Sequence, residues 1–352
     1  MEWLGCERLR IPGARSKFGT ERGGDMKALR VDEKSEARHL VITDEPTPQV
    51  GIDEVQISVR AAGVNRADLL QRAGKYPPPE GISTIIGLEV AGIVEAVGDG
   101  VEQWKKGDRV CALLAGGGYA ETVVVPAGQV MHIPRSLTFA EAAAIPEAFI
   151  TAYTNLFVEG GLQEGERILV HGGSSGVGTA AIQLATLAGA RVSCTVGSEE
   201  KASRCRELGA SVVVNYKEQD FETVVKEWSD EGIDLILDIV GAGYFERNLA
   251  LLAQGGRLVE IATMSGSRAE IDIALLMRKR ARIIGSVLRS RSAAEKAGLV
   301  AGFVGRFFHS FDTGDLKPIV DSVFPFERAE EAHALMKSSS HIGKIVLSFG
   351  AV

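Results

Sequence analysis

Cysteine is scarce in this chain: four thiols, Cys6, Cys111, Cys194 and Cys205, occur in 352 residues, and none forms a CxxC or CxxH pair. That spacing speaks against a structural zinc and predicts reduced thiols in a cytoplasmic protein. No apolar run approaches the roughly 18 residues that span a bilayer, so no membrane partner is expected. The charge is mixed, with a net value of −7 and no basic stripe to follow a phosphate backbone, so no nucleic acid is expected either. Repeats and low-complexity tracts are missing as well. Residues 1–25 are basic and contain Gly, Ser and Arg without the apolar core of a secretory signal. They read as a start-site extension or a disordered arm ahead of "MKALRV".

What is present is enough for a large core. At 37.5 kDa and 45% hydrophobic residues the chain predicts two globular units. From Lys27 to about Ile133, short strands alternate with glycine turns, as in "EVQISVRAAGV", where Val55, Ile57 and Val59 share a face. This pattern predicts a β-rich barrel or sandwich. Near "TFAEAAAIPEAFITAYTNL" the period becomes helical, and Thr138 with Glu141 forms a capping box. From Arg167 onward strands and helices alternate through five strands, "RILVH", "RVSCTV", "SVVVN", "DLILDIV" and "RLVEIA". The order predicts an α/β doubly wound parallel sheet of Rossmann type. The tail from about Pro318 reads as strand, short helix and strand, returning to complete the first unit.

The stretch "HGGSSGVG" lies between the first of these strands and its helix. Gly173, Gly176 and Gly178 there allow a tight turn and bring backbone N–H groups to a pyrophosphate at a helix N-terminus. About 20 residues further, where an NAD site places an acid for the ribose, the chain reads "CTVGSEEKASR". Ser198 and Lys201 there favour a 2′-phosphate and hence NADPH, with Arg204 one turn on and Glu199 and Glu200 as neighbouring acids. Tyr216 ends the third strand. Ligands of open α/β sheets sit at the carboxyl ends of the strands, which selects Val240 and the Ala262–Met264 turn.

Several segments together, "AAGVNRADLLQRAGKYPPP", "GLEVAGIVEAVG", "AAAIPEAFITAY", "SGVGTAAIQL", "VVVNYKEQDF", "LLMRKRARIIGSVLRSR" and "HIGKIVL", give the chain its family likeness. From Met26 to about Phe349 it resembles the zinc-independent quinone oxidoreductases of the medium-chain dehydrogenase/reductase superfamily, the group that contains zeta-crystallin. The resemblance implies a GroES-like domain at 26–148 and 318–352, a Rossmann domain at 149–317, and an active site in the cleft between them. It also implies a homodimer joined through Rossmann edge strands, for which "RIIGSV" is suited.

By the same resemblance Asn65 and Tyr76 are the catalytic groups. Thr151, Ser175, Val177, Ser198, Lys201, Tyr216, Met264, Leu288 and His341 fall near the cofactor, although an amide residue is the family expectation at His341. Where zinc-dependent relatives carry a ligand Cys this chain has "GVNRAD", and Leu88 stands at their ligand His. No metal site is expected. The implied activity is hydride transfer from NADPH to a quinone or another electron-poor small molecule. The alternatives are reduction of an enone or enoyl double bond, and a low-turnover NADPH-binding sensor or structural protein.

Overall fold

The computed structural model describes residues 24–350, so the 1–25 extension falls almost wholly outside the described residues; its last residue, Asp25, already opens the first strand. The chain runs β1 Asp25–Val31, β2 Leu40–Pro46, β3 Glu54–Val64, α1 Arg66–Arg72, β4 Glu89–Val97, β5 Arg109–Leu113, β6 Thr122–Pro126 and β7 Val130–His132. Next come α2 Phe139–Ala142, α3 Pro146–Tyr153, β8 Arg167–His171, α4 Gly176–Leu187, β9 Arg191–Val196, α5 Glu199–Glu207, β10 Val212–Asn215 and α6 Phe221–Trp228. It ends with β11 Ile233–Asp238, α7 Ala242–Leu251, β12 Leu252–Glu260, α8 Ile273–Lys279, β13 Arg282–Gly285, α9 Ala293–Phe307, α10 Ser310–Thr313, β14 Val320–Pro325, α11 Ala329–Ser338 and β15 Lys344–Ser348.

Two sheets carry the molecule. The first, ordered β14-β15-β3-β4-β5-β7 with β6 also paired to β3, is the GroES-like domain. The C-terminal tail does return to it, since β15 lies antiparallel to β3 through Ile345 opposite Val64. The second sheet is parallel and ordered β10-β9-β8-β11-β12-β13, the Rossmann arrangement with its switch point between β8 and β11. It has six strands where five were expected. The sixth, β13, is short and exposed, so it lacks the buried alternation that marks a strand in sequence.

The helical stretch after Thr138 is broken. The capping box closes as expected, with Thr138 Oγ1 accepting from Glu141 N, but α2 ends after one turn because Pro146 has no N–H to continue it and opens α3 instead. One continuous core then joins the domains. It contains Ala61, Ala91 and Leu113 from the GroES-like sheet, Phe149 and Ile150 of α3, Val170 and Leu237 of the Rossmann sheet, and Phe303 and Phe307 of α9. Phe149, Tyr153, Phe303 and Phe307 meet edge-to-face or tilted at 6.0–6.4 Å. This apolar seam packs the two sheets together through α3 and α9.

Candidate active site

The glycine loop owes its bare composition first to the protein itself. A Cβ on Gly178 would lie 2.3 Å from the Gly172 carbonyl oxygen, and one on Gly173 would lie 2.7 Å from Cys194 Sγ. A Cβ on Gly176 would meet Lys344 Cδ at 2.5 Å, because that side chain crosses the loop. Ser175 is the N-cap of α4, with Oγ accepting from Gly178 N at 3.0 Å. What remains is the N-terminus of α4 with a bare backbone, the kind of place where anions bind. The loop is also tied to the other domain: Gly343 N donates to Ser174 O at 2.8 Å.

At the ends of β9 and β10 a second group of residues gathers around Gly197. Ser198 caps α5 by accepting from Lys201 N. The Tyr216 hydroxyl and the Lys217 chain lie over the open face of Gly197, the former 2.7 Å from where a Cβ would be. Lys201 Nζ donates to Ser339 O at 2.5 Å, and its pKa is lowered by burial first and then by the Lys217 charge. Lys201 and Lys217 thus bring two cationic side chains to the ends of the adjacent strands β9 and β10. The neighbouring acid Glu199 is turned away onto Arg206 at 2.6 Å. Arg204 is an ordinary solvated helix residue bonded to Glu207, at 2.6 Å. Lys217 was missed in the sequence because "NYKEQ" reads as a strand exit with no periodic signal.

The crevice continues over β11 and β12. Val240 N and Gly241 N donate to Asp238, and Met264 N and Ser265 N return to Ile239 O and Val240 O at 3.3 and 2.8 Å. Val240 and Met264 therefore meet on adjoining turns, with Met264 half-exposed. Leu288 is buried just beyond β13. His341 is buried with Nδ1 lacking a partner, and burial lowers its pKa. Thr151 lies half-buried on α3.

Asn65 and Tyr76 stand on the GroES-like side. Asn65 is the N-cap of α1, held by a capping box in which its N–H donates to Asp68 Oδ2 at 2.7 Å. Asp68 is wholly buried and accepts from the Tyr119 hydroxyl at 3.0 Å; burial pushes its carboxyl up to about 7. The Asn65 amide is less free than the sequence implied. Its Nδ2 donates to Glu89 Oε1 at 2.9 Å, and its Oδ1 accepts from Lys344 Nζ. Lys344 Nζ also reaches Val64 O at 3.0 Å and Glu89 Oε1 at 2.6 Å, with both side chains almost fully buried. The second amide N–H donates to Gly63 O at 3.5 Å, a long bond that is the weaker of the two. Leu88 is buried at 1% exposure beside this cluster, and among the described residues no three His, Cys, Asp or Glu side chains converge as metal ligands.

Tyr76 is fixed by Arg289. The guanidinium lies 5.1 Å from the centre of its ring, and Nη1 donates to Tyr76 O at 3.1 Å. The same group donates to Gln71 Oε1 at 2.6 Å and to Ala115 O at 2.7 Å. Burial raises the Tyr76 phenol, and Glu147 adds to the rise. Glu147, second residue of α3, is pushed up to about 8 by burial and by the Glu89 charge. Neither Arg289 nor Glu147 was singled out in sequence, where "LRSR" and "IPEAF" look like a helix approach and a helix start.

Comparison with known proteins agrees with this architecture. The alcohol dehydrogenase GroES-like domain family matches residues 51–135, and the zinc-binding dehydrogenase family matches 176–301. The quinone oxidoreductase of Rattus norvegicus is 35% identical over 330 residues, covering 92% of this chain and 97% of that protein. A mycobacterial protein solved in complex with NADPH superposes with a TM-score of 0.81 at 32% identity, over 92% of this chain and 100% of its own. The CurK enoyl reductase gives a TM-score of 0.81 at 29% identity, covering 92% and 99%. The chain belongs to the medium-chain dehydrogenase/reductase superfamily, within its quinone oxidoreductase group, and is an oxidoreductase that uses a nicotinamide cofactor.

Proposed function

We propose that this protein reduces quinones with NADPH in the interdomain cleft and needs no metal to do so. The observation that carries the reading is the Asn65–Lys344–Glu89 cluster, in which the fixed cation is a lysine ammonium that is already fully coordinated. Such a site has no open Lewis acid for polarising an alcohol or an unactivated carbonyl. A quinone needs none, since its carbonyls are conjugated and its product is aromatic. When bound, NADPH supplies the hydride.

The residues of this chain bind and orient. The loop 173–178 takes the pyrophosphate, Ser198, Lys201, Lys217 and Tyr216 take the adenosine ribose and its phosphate, and Thr151, Val240, Met264, Leu288 and His341 line the nicotinamide half. The Tyr76 hydroxyl, with the Asn65 N–H that can leave its long bond to Gly63 O, donates to the negative charge developing on the acceptor oxygen. Tyr76 stays protonated at neutral pH because burial raises it.

A second reading, reduction of an activated C=C bond, is favoured by the structural likeness to an enoyl reductase. Tyr76→Phe separates the two. A quinone reductase loses one hydrogen bond to the acceptor oxygen, about ten-fold in kcat, since both product oxygens protonate from solvent, whereas an enone reductase that also needs a proton on carbon loses about 10³-fold or more. Comparable loss with quinones would contradict the solvent route.

A further inference from the structure

Beside the cleft lies a cavity of about 670 Å³, walled by loop 79–85, turn 114–117, β6 and the segment Arg289–Lys296 that starts α9. That size suits a small organic ligand, for which sites run to about 300–1,000 Å³. The cavity adjoins the proposed reaction centre, because Arg289 and Ala115 belong to its wall while Arg289 also grips Tyr76.

Most of its charged wall is already spent. Glu45 is held by Arg30 at 2.7 and 2.9 Å, and Glu54 turns back to Gly51 N at 2.8 Å. Arg291 is paired with Glu159, and Arg289 commits Nε, Nη1 and Nη2 to three oxygens. Glu80 is exposed on the rim loop. Lys296 is different. It is 4% exposed, lines the cavity, and has no side-chain hydrogen bond or ion pair among the described residues.

Three groups face its charge without neutralising it. Burial lowers the Lys296 pKa, Glu147 and Glu295 oppose that, and Arg289 reinforces it. Glu147 makes no ion pair with Lys296, and burial and the Glu89 charge push its carboxyl up to about 8. Glu295 is exposed and closes the capping box of α9 with Ser292 at 2.7 Å. Ser292 and Ala293, the first positions of this 15-residue helix, line the same cavity, so the positive end of its dipole adds to the lysine. A buried, unpaired cation costs free energy that an anionic partner returns.

We infer that the cavity receives an anionic substituent, a carboxylate or sulfonate carried by the acceptor, and that Lys296 is the residue that selects it. The inference rests on the quinone reading, whose ring lies beside Tyr76 while its acidic arm enters the cavity. No electron or proton moves at this subsite; it binds.

The test uses a naphthoquinone bearing a propanoate arm and its methyl ester, two acceptors of matched ring chemistry. At pH 7 the full-length protein is expected to give the acid a kcat/KM about ten-fold above the ester. Lys296→Met should bring the ratio near one, Lys296→Arg should keep most of it, and 0.5 M salt should compress it. Calorimetric binding of both compounds to the NADP⁺ complex reads the same ratio without turnover. If neither compound is reduced but the acid still binds more tightly in a Lys296-dependent way, the quinone reading falls and the anionic subsite stands. A ratio near one in the wild type, or one unchanged in Lys296→Met, overturns the inference. Inorganic phosphate that competes with ester and acid alike, and only when Lys296 is present, would assign the cavity to a free anion and overturn it equally.

Discussion

Lys344 is the side chain on which the candidate site turns. It crosses the glycine loop over Gly176 and ends on Asn65, Val64 and Glu89, so it connects the cofactor loop with the catalytic sheet. Lys344→Met would leave the Glu89 carboxylate buried and unpaired, at a cost of about 3–5 kcal/mol. Denaturant titration should show that loss, and adding Glu89→Gln should recover a good part of it; an unchanged midpoint in Lys344→Met would contradict the anchoring role. The sequence made Asn65 and Leu88 legible because they stand at motif positions. It could not show that Lys344, 279 residues from Asn65, would occupy the amide's acceptor. Glu260 was equally silent. It pairs in register with Asp238 on the adjacent strand, both its oxygens are buried without a partner, and burial, then Asp238, pushes it up to about 8. The folded protein therefore holds a proton that the unfolded chain releases above the usual carboxylate range, so stability falls as pH rises from about 4 to about 8. Glu260→Gln removes its share of that slope, leaving the shares of Asp68 and Glu147. Its unfolding free energy should match the wild type near pH 4 and exceed it by pH 8, by on the order of 1–3 kcal/mol; a constant difference at every pH would contradict the assignment.

Among the elements, the ends of β9 and β10 with the start of α5 would set the proposed preference for NADPH. Lys201→Ala and Lys217→Ala are each expected to weaken NADPH binding about 5–20-fold while leaving NADH nearly unchanged, as fluorescence titration would show. Equal weakening of both cofactors would mean that the ammonium groups do not read the 2′-phosphate. Half of this was readable beforehand: Ser198 and Lys201 follow the second strand at the spacing of the ribose contact. Lys217 emerged only when β10 was placed alongside β9, since parallel neighbours bring together residues that lie far apart in the chain. The strands of strongest alternation, such as β3, were legible almost to the residue. β13 was legible only through the family resemblance, which offered "RIIGSV" as an edge strand, because four exposed residues carry no alternation of their own.

At the scale of the molecule, a two-domain order with a returning tail followed from the change of period near Thr138 and the strand–helix–strand ending. The shared core did not, because helices α3 and α9 look like ordinary amphipathic segments until they pack together. The homodimer implied by family resemblance finds support at the open edge of the Rossmann sheet. There β13 pairs only with β12, and Ile273, Met277, Ile283 and Val287 are exposed. Sedimentation at micromolar concentration should give twice the chain mass, and Ile283→Lys with Met277→Lys should give a monomer; a wild-type monomer would contradict edge pairing. No helix of the described residues is long and apolar enough to cross a membrane.

The measurement that bears most directly on the whole account is steady-state oxidation of NADPH and NADH by the purified protein across matched quinones, enones, aldehydes and alcohols, with a metal chelator present. The account predicts turnover with quinones that chelation leaves intact, a preference for NADPH of at least ten-fold in kcat/KM, and little or no rate with aldehydes or alcohols. Loss of turnover on chelation, or equal rates with NADH or with simple aldehydes, would contradict it.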